Sequence, residues 1–145
     1  MLVRHAGDYQ WEKVAVLAYK EEGNCFKSIT RQILLNGGPE LPCQLRYFEV
    51  APGGYSTLEQ HQHGHFVVIF RGEGGVLLGD RIYQVREKDV IEIPSLTWHQ
   101  FRATGEVPLG FLCLVNTERD RPVLPTEDDW RSLRQDPDIA AFIRR

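Results

Sequence analysis

Residues 53–72, "GGYSTLEQHQHGHFVVIFRG", carry three of the chain's five histidines within five positions, with a glutamate ahead of them and an apolar segment behind. Residues of equal parity share one face of a β-strand, so Glu59, His61, His63 and His65 would all point one way along a straight strand. Gly64 is turn-prone, and the chain has to reverse before "FVVIF". A turn across 62–64 leaves Glu59 and His61 on one strand, His63 in the turn and His65 opening the next strand. Three ligand-bearing side chains then surround one point. Surface histidines in a polar hairpin are the plainer alternative. Three of them between two apolar strands weigh against it, because imidazole and carboxylate sets of this kind suit divalent first-row metals.

The flanking sequence extends the β pattern in both directions. "FKSITRQILL" (26–35) and "CQLRYFEV" (43–50) precede the cluster, the latter followed by the turn signal "APGG". After it come "VLLGDRIYQV" (76–85), with Gly79 and Asp80 suited to a tight hairpin, then "VIEIP" (90–94), "WHQFRA" (98–103) and "LGFLCLV" (109–115). Short strands at this spacing, with glycine and proline between them, predict an all-β sandwich or barrel. The segment "AGDYQWEKVAVLAYKEEGN" (6–24) adds an edge strand or arm. Beyond "RDRPVLP" the pattern turns helical, with Thr126 as N-cap of "EDDWRSLRQ" (127–135) and Asp136–Pro137 opening "DIAAFIRR" (138–145). The expected organisation is a single domain over residues 1–145, with a barrel core at about 26–116 and a helical tail at about 126–145.

Composition excludes some partners. The 145 residues are 42% hydrophobic and 26% charged, with a net charge of −3, so neither nucleic acid nor an anionic membrane is expected as a partner. The start "MLVRHAGDYQ" lacks the apolar core of a secretion signal, which makes a cytoplasmic location the expectation. Cys25, Cys43 and Cys113 read as reduced thiols. A fourth metal-ligand candidate, His99 in "IPSLTWHQF", would by itself read as a buried, hydrogen-bonded histidine.

Counting from Gly53, five residues lead to Glu59, then His61, three residues to His65 and six to Gly72. This spacing resembles the first motif of the cupin family of small double-stranded β-helix (jelly-roll) barrels, with glutamate and histidine exchanged at the first and third ligand places. A rival register built on His61 and His63 would need Val67 or Val68 as a ligand, and valine cannot bind a metal. The second cupin motif is matched by Pro94 and His99. Lys88 and Leu96 stand where it has glycines, and Ala103 where it has asparagine. The resemblance implies metal ligands at Glu59, His61, His65 and His99, with Mn(II) first, Fe(II) next, and Zn or Ni also accommodated. It also implies a homodimer.

A narrower similarity joins "LRYFEVAPGG", the E-x-H-x-H-x-H pattern of 59–65, "TWHQFRA", "LGFLCLVNTERDRP" and the helical tail. It is to a group of one-domain bacterial cupins that includes a manganese-dependent, glutathione-using methylthioxylulose-phosphate methylsulfurylase. It implies removal of a methylthio group from a ketose phosphate to give deoxyxylulose phosphate, within methionine salvage.

The residues themselves support such chemistry. A divalent ion on three imidazoles and one carboxylate keeps positions for a hydroxy-ketone and acts on it as a Lewis acid. Cys113 shares parity with Phe111 and Val115. It is either a small hydrophobe or a catalytic thiol that hands a proton to an enolate after glutathione attacks the methylthio sulfur. Arg46 either faces solvent or points inward toward a substrate anion, with Phe48 beside it and Tyr47 on the other side. Phe101 forms an apolar pocket wall, whereas Gln100 and Arg102 point outward. Two further functions stay open: an Fe(II) dioxygenase, and a non-catalytic binder of a metal or small ligand.

Overall fold

The computed structural model describes residues 1–145. In chain order the strands are β1 (His5–Gly7), β2 (Gln10–Trp11), β3 (Leu17–Ala18), β4 (Lys27–Asn36), β5 (Cys43–Tyr55), β6 (His65–Arg71), β7 (Glu73–Leu78), β8 (Arg81–Arg86), β9 (Val90–Ile93), β10 (His99–Ala103) and β11 (Leu109–Asn116). Two short helices follow, α1 (Glu127–Leu133) and α2 (Pro137–Phe142). The main sheet is antiparallel in the order β8-β7-β10-β5-β11-β6-β9, with β4 against β5 and β3 against β4. It curls into a barrel, as the strand spacing predicts, and of the jelly-roll form that the cupin resemblance implies.

Strand β5 makes the curl possible. Its first part pairs with β4 and β11, while Tyr55 at its end pairs with Arg102 of β10. "APGG" therefore bends the strand where the sequence predicts a turn. Gly53 adopts φ +73°, and the pairing with β4 slips between Lys27 and Ile29. A bulge of this kind redirects a strand without ending it.

Register decides which side chains enter the barrel, because directly paired residues share a face. One row runs Ile33, Arg46, Cys113, Val67, Ile91, and the next runs Arg31, Phe48, Phe111, Ile69. Cys113, Val67, Ile91, Phe48, Phe111 and Ile69 all belong to the buried core of the barrel. Arg31 and Arg46 are therefore set on the inner face.

The outer face is covered at two places. Under the helical tail lies a second core of Leu58, Leu77, Trp130, Ile139, Phe142 and Ile143. Thr126 caps α1 in a capping box with Asp129, and the Asp136 carboxylate accepts from the N–H groups of Asp138 and Ile139 to start α2. Helix α2 ends at Phe142, so the terminal arginines lie beyond the helix that was expected to include them. Phe142 sits on Gly75, where an added Cβ would come within 2.6 Å of its ring. At the other place the β1–β2 hairpin brings Trp11 to 5.0 Å and Tyr9 to 6.1 Å from the Tyr47 ring.

Candidate metal centre

The segment after β5 runs beside the start of β10. Glu59 N–H donates to the His99 carbonyl (3.2 Å), and His99 N–H to the Glu59 carbonyl (3.0 Å), which places their side chains at one end of the barrel. Leu96 N–H donates to the His61 carbonyl at 2.7 Å. That bond is made by a left-handed turn, with Leu96 at φ +56°. Lys88, at φ +77°, is also left-handed. Both stand where the second cupin motif has glycine, so the backbone keeps a conformation that the side chains do not favour. His65 opens β6 opposite Ile93. His63 lies in the connecting turn, as its spacing predicts, with its ring stacked on His61 at 3.7 Å. Asp120 fixes this turn, accepting from Gln62 N–H (2.7 Å), His63 N–H (3.1 Å) and His63 Nδ1 (2.6 Å).

The ring nitrogens of His61, His65 and His99 lie within 4.8 Å of one another. His61 Nδ1 is 2.6 Å from the His63 carbonyl, and His99 Nδ1 is 2.9 Å from the Thr97 carbonyl. A carbonyl only accepts, so both Nδ1 atoms carry the proton, and each Nε2 keeps its lone pair. His65 turns Nδ1 to Cys113 Sγ (3.3 Å) and Nε2 to His61 Nε2 (2.8 Å). Burial, reinforced by the neighbouring His99, lowers His61 to about 4 and His65 to about 2, and burial also lowers His99. Three neutral imidazoles are the form that binds a cation, and their donor set fits a divalent first-row metal.

Glu59 lines the same cavity, is buried and acts electrostatically on His61 and His99, but it is not in the group whose ligand atoms meet within 4.8 Å. Its carboxylate is hydrogen-bonded to the Lys20 ammonium, which reaches in from the arm after β3. Of the four groups expected to converge, three do so, and the fourth is held by a cation of the chain itself.

The triad opens into a cavity of about 760 Å³. Arg46 points into it, donating from Nη2 to Cys113 Sγ at 3.1 Å with its guanidinium 5.0 Å from the Phe48 ring. Phe48 and Phe101 stack on either side of Phe111, at 5.4 and 4.3 Å, and form an apolar wall. Tyr47 points outward and donates to Glu49 at 2.7 Å. Cys113 is buried against this polar edge. Burial pushes its thiol pKa up, and Arg46 opposes the shift.

Gln100 and Arg102 face away from the lumen as expected, yet Gln100 is wholly enclosed. Its amide donates to the Ser56 and Arg144 carbonyls and accepts from Arg144 N–H. Sequence reading missed Lys20, Arg31, Arg119 and Asp120 at the cavity. Arg31 alone had a signal, sharing parity with Ile29 and Ile33 in "SITRQILL".

A model of the cupin domain matches residues 46–115. The chain is 53% identical to the 1-methylthio-D-xylulose 5-phosphate methylsulfurylase of Rhodospirillum rubrum over 136 residues, which are 93% of this chain and 86% of that protein. It superposes on a cupin 2 conserved barrel domain protein from Rhodopseudomonas palustris with a TM-score of 0.94 at 49% identity, covering 100% of both chains. A cupin 2 domain-containing protein from Halorhodospira halophila gives a TM-score of 0.77 at 40% identity, covering 99% of this chain and 96% of that one.

Proposed function

This chain belongs to the cupin family, and we propose that it is a metal-dependent enzyme that moves the methylthio group of methylthioxylulose 5-phosphate to glutathione, leaving deoxyxylulose 5-phosphate. The observation that carries this reading is the meeting of three neutral imidazoles beside a thiol and a guanidinium. It is supported by the 53% identity to a protein named for that reaction. His61, His65 and His99 would hold the cation through their Nε2 atoms, His65 once its proton has moved from Nε2, where it faces the His61 lone pair, to Nδ1 beside Cys113. Glu59 would be a fourth ligand once released by Lys20. The donor set suits Mn(II) first and Fe(II) next. When bound, the cation supplies Lewis-acid stabilisation of negative charge on the substrate's ketone oxygen.

The protein's own groups do the rest. Phe48, Phe101 and Phe111 line the lumen on the apolar side and exclude water from it. The glutathione thiolate attacks the methylthio sulfur. A sulfur–sulfur bond forms, the carbon–sulfur bond breaks, and the electron pair stays on carbon as an enolate. Cys113, kept protonated by burial, gives its thiol proton to that carbon, and the proton lost by glutathione restores it. Arg46 and His65 fix the position of Sγ.

Elemental analysis of the purified protein, run beside an assay for the glutathione–methanethiol disulfide, tests the reading. Bound metal and disulfide formation are expected together. A folded protein that binds neither Mn(II) nor Fe(II) overturns it. Cys113→Ser is expected to slow turnover by about 10²- to 10⁴-fold with metal content intact. Unchanged turnover removes the cysteine from the reaction.

A further inference from the structure

We propose that Arg31, Arg46 and Arg119 form a phosphate-binding subsite on the lumen side of Cys113, which takes the phosphate of a sugar phosphate whose other end reaches the histidines. The inference rests on the sugar-phosphate reading above for its substrate, but its observations are separate.

Strand register sets Arg31 and Arg46 diagonally on the inner face of β4 and β5, through the pairs Arg31↔Phe48 and Ile33↔Arg46. Arg119 approaches from the segment after β11. Its Nη1 donates to the Asn116 and Thr117 carbonyls at 2.8 and 3.2 Å, and its Nη2 lies 3.4 Å from Gln44 Oε1. All three line the cavity. Burial lowers the Arg119 pKa, and repulsion from Arg46 and Arg31 lowers it further, which places three like charges within electrostatic reach of one another.

None of the three makes an ion pair: of the carboxylates that line the same cavity, Glu59 is taken by Lys20 and Asp120 by His63, and Glu21 and Glu22 pair with none of the arginines. The Nε atoms of Arg31 and Arg46 are buried without a hydrogen-bond partner. Arg31 and Arg46 are half-buried and Arg119 is exposed at the cavity edge. Holding the first two partly out of water without a counter-charge is costly, and their unpaired buried donors add to the cost. An anion in the cavity removes both costs. Planar guanidinium forks match phosphate oxygens, and a dianion balances three cations better than a single carboxylate does. The contacts also give the subsite its place. His65 touches Cys113, and Cys113 touches Arg46, so the cationic patch adjoins the histidine triad through the thiol.

The probe is inorganic phosphate, titrated calorimetrically into the purified protein and into Arg119→Gln and Arg31→Gln. Wild-type protein is expected to bind phosphate, and each variant about 10- to 100-fold more weakly, with metal content retained. No binding by the wild type, or equal affinity in both folded variants, overturns the subsite. Arg119 lies outside the strands, and Arg119→Lys keeps the charge, so partial recovery in that variant supports a binding role over a packing one. Assays with the phosphate ester separate the two proposals. Turnover by the wild type with KM unchanged in both Gln variants sinks the subsite and leaves the reaction standing. Phosphate binding lost in the variants, with no turnover by the wild type, sinks the reaction and leaves the subsite.

Discussion

The two faces of the same strands treat polar groups in opposite ways. On the outer face, Gln100 satisfies its amide on Ser56 and Arg144, Arg102 donates to the Phe142 carbonyl, and Tyr47 and Arg71 both donate to the Glu49 carboxylate. On the inner face, Arg31 Nε, Arg46 Nε and Thr57 Oγ1 have no partner. One such atom lies elsewhere, Gln32 Oε1 beneath the N-terminal hairpin. Outer polar groups fix how the tail and hairpin dock. On the inner face these three atoms are left open beside groups that are paired, and open polar atoms are what a ligand-binding surface requires.

Four measurements can break or sharpen this contrast. Phe142→Ala, which empties the core beneath the tail, is expected to cost about 3–5 kcal/mol in denaturant unfolding. Its metal content should match the wild type, and a parallel loss of metal would show that the two faces are coupled. The pH dependence of the metal-free protein comes next. His61 sits at about 4 against an ordinary 6.5, so between those values the unfolded chain binds more protons than the folded one. The stability tied to a neutral ring is complete above about pH 6.5 and is lost as pH falls toward 4. Thermal midpoints should drop across that window, and a flat profile would contradict the neutral triad.

Arg31→Met exchanges an unpaired inner cation for an apolar chain of similar length. Stability should hold or rise by about 1 kcal/mol, whereas a clear loss would reveal a hidden partner. The smallest effect belongs to Lys88→Gly. It relieves a left-handed backbone, offset by the entropy of glycine in the unfolded chain, for a net gain below about 1 kcal/mol in the unfolding midpoint.

The barrel was legible in the sequence because its strands alternate and its turns are marked by glycine and proline. Two members of the triad were legible because Gly53, Glu59, His61, His65 and Gly72 keep a fixed spacing, and the third, His99, through its match with Pro94 to the second cupin motif. The direction of Arg46 was not, and the reason is physical. Parity distinguishes an inner from an outer residue only when one face is wet, and here the hairpin buries Tyr47 as deeply as the lumen buries Phe48. Asp120 gave no signal, since its bonds to the 62–63 backbone span 57 and 58 residues. The position of Glu59 followed from spacing, but its partner Lys20 depends on where the arm lies. That is set by β3, a strand of only two residues.

The arm carrying Lys20 has an energetic corollary. Residues Tyr19 to Phe26 border the mouth of the lumen, yet β3 joins the barrel through just two register pairs, Leu17↔Arg31 and Ala18↔Thr30. The rim of the cavity is therefore held by a ladder of two pairs, together with the packing of Tyr19 on Phe26 and Phe48. Breaking a two-pair ladder costs less than breaking the long β5 ladders, so the wall at the mouth and the robustness of the fold rest on different hydrogen bonds.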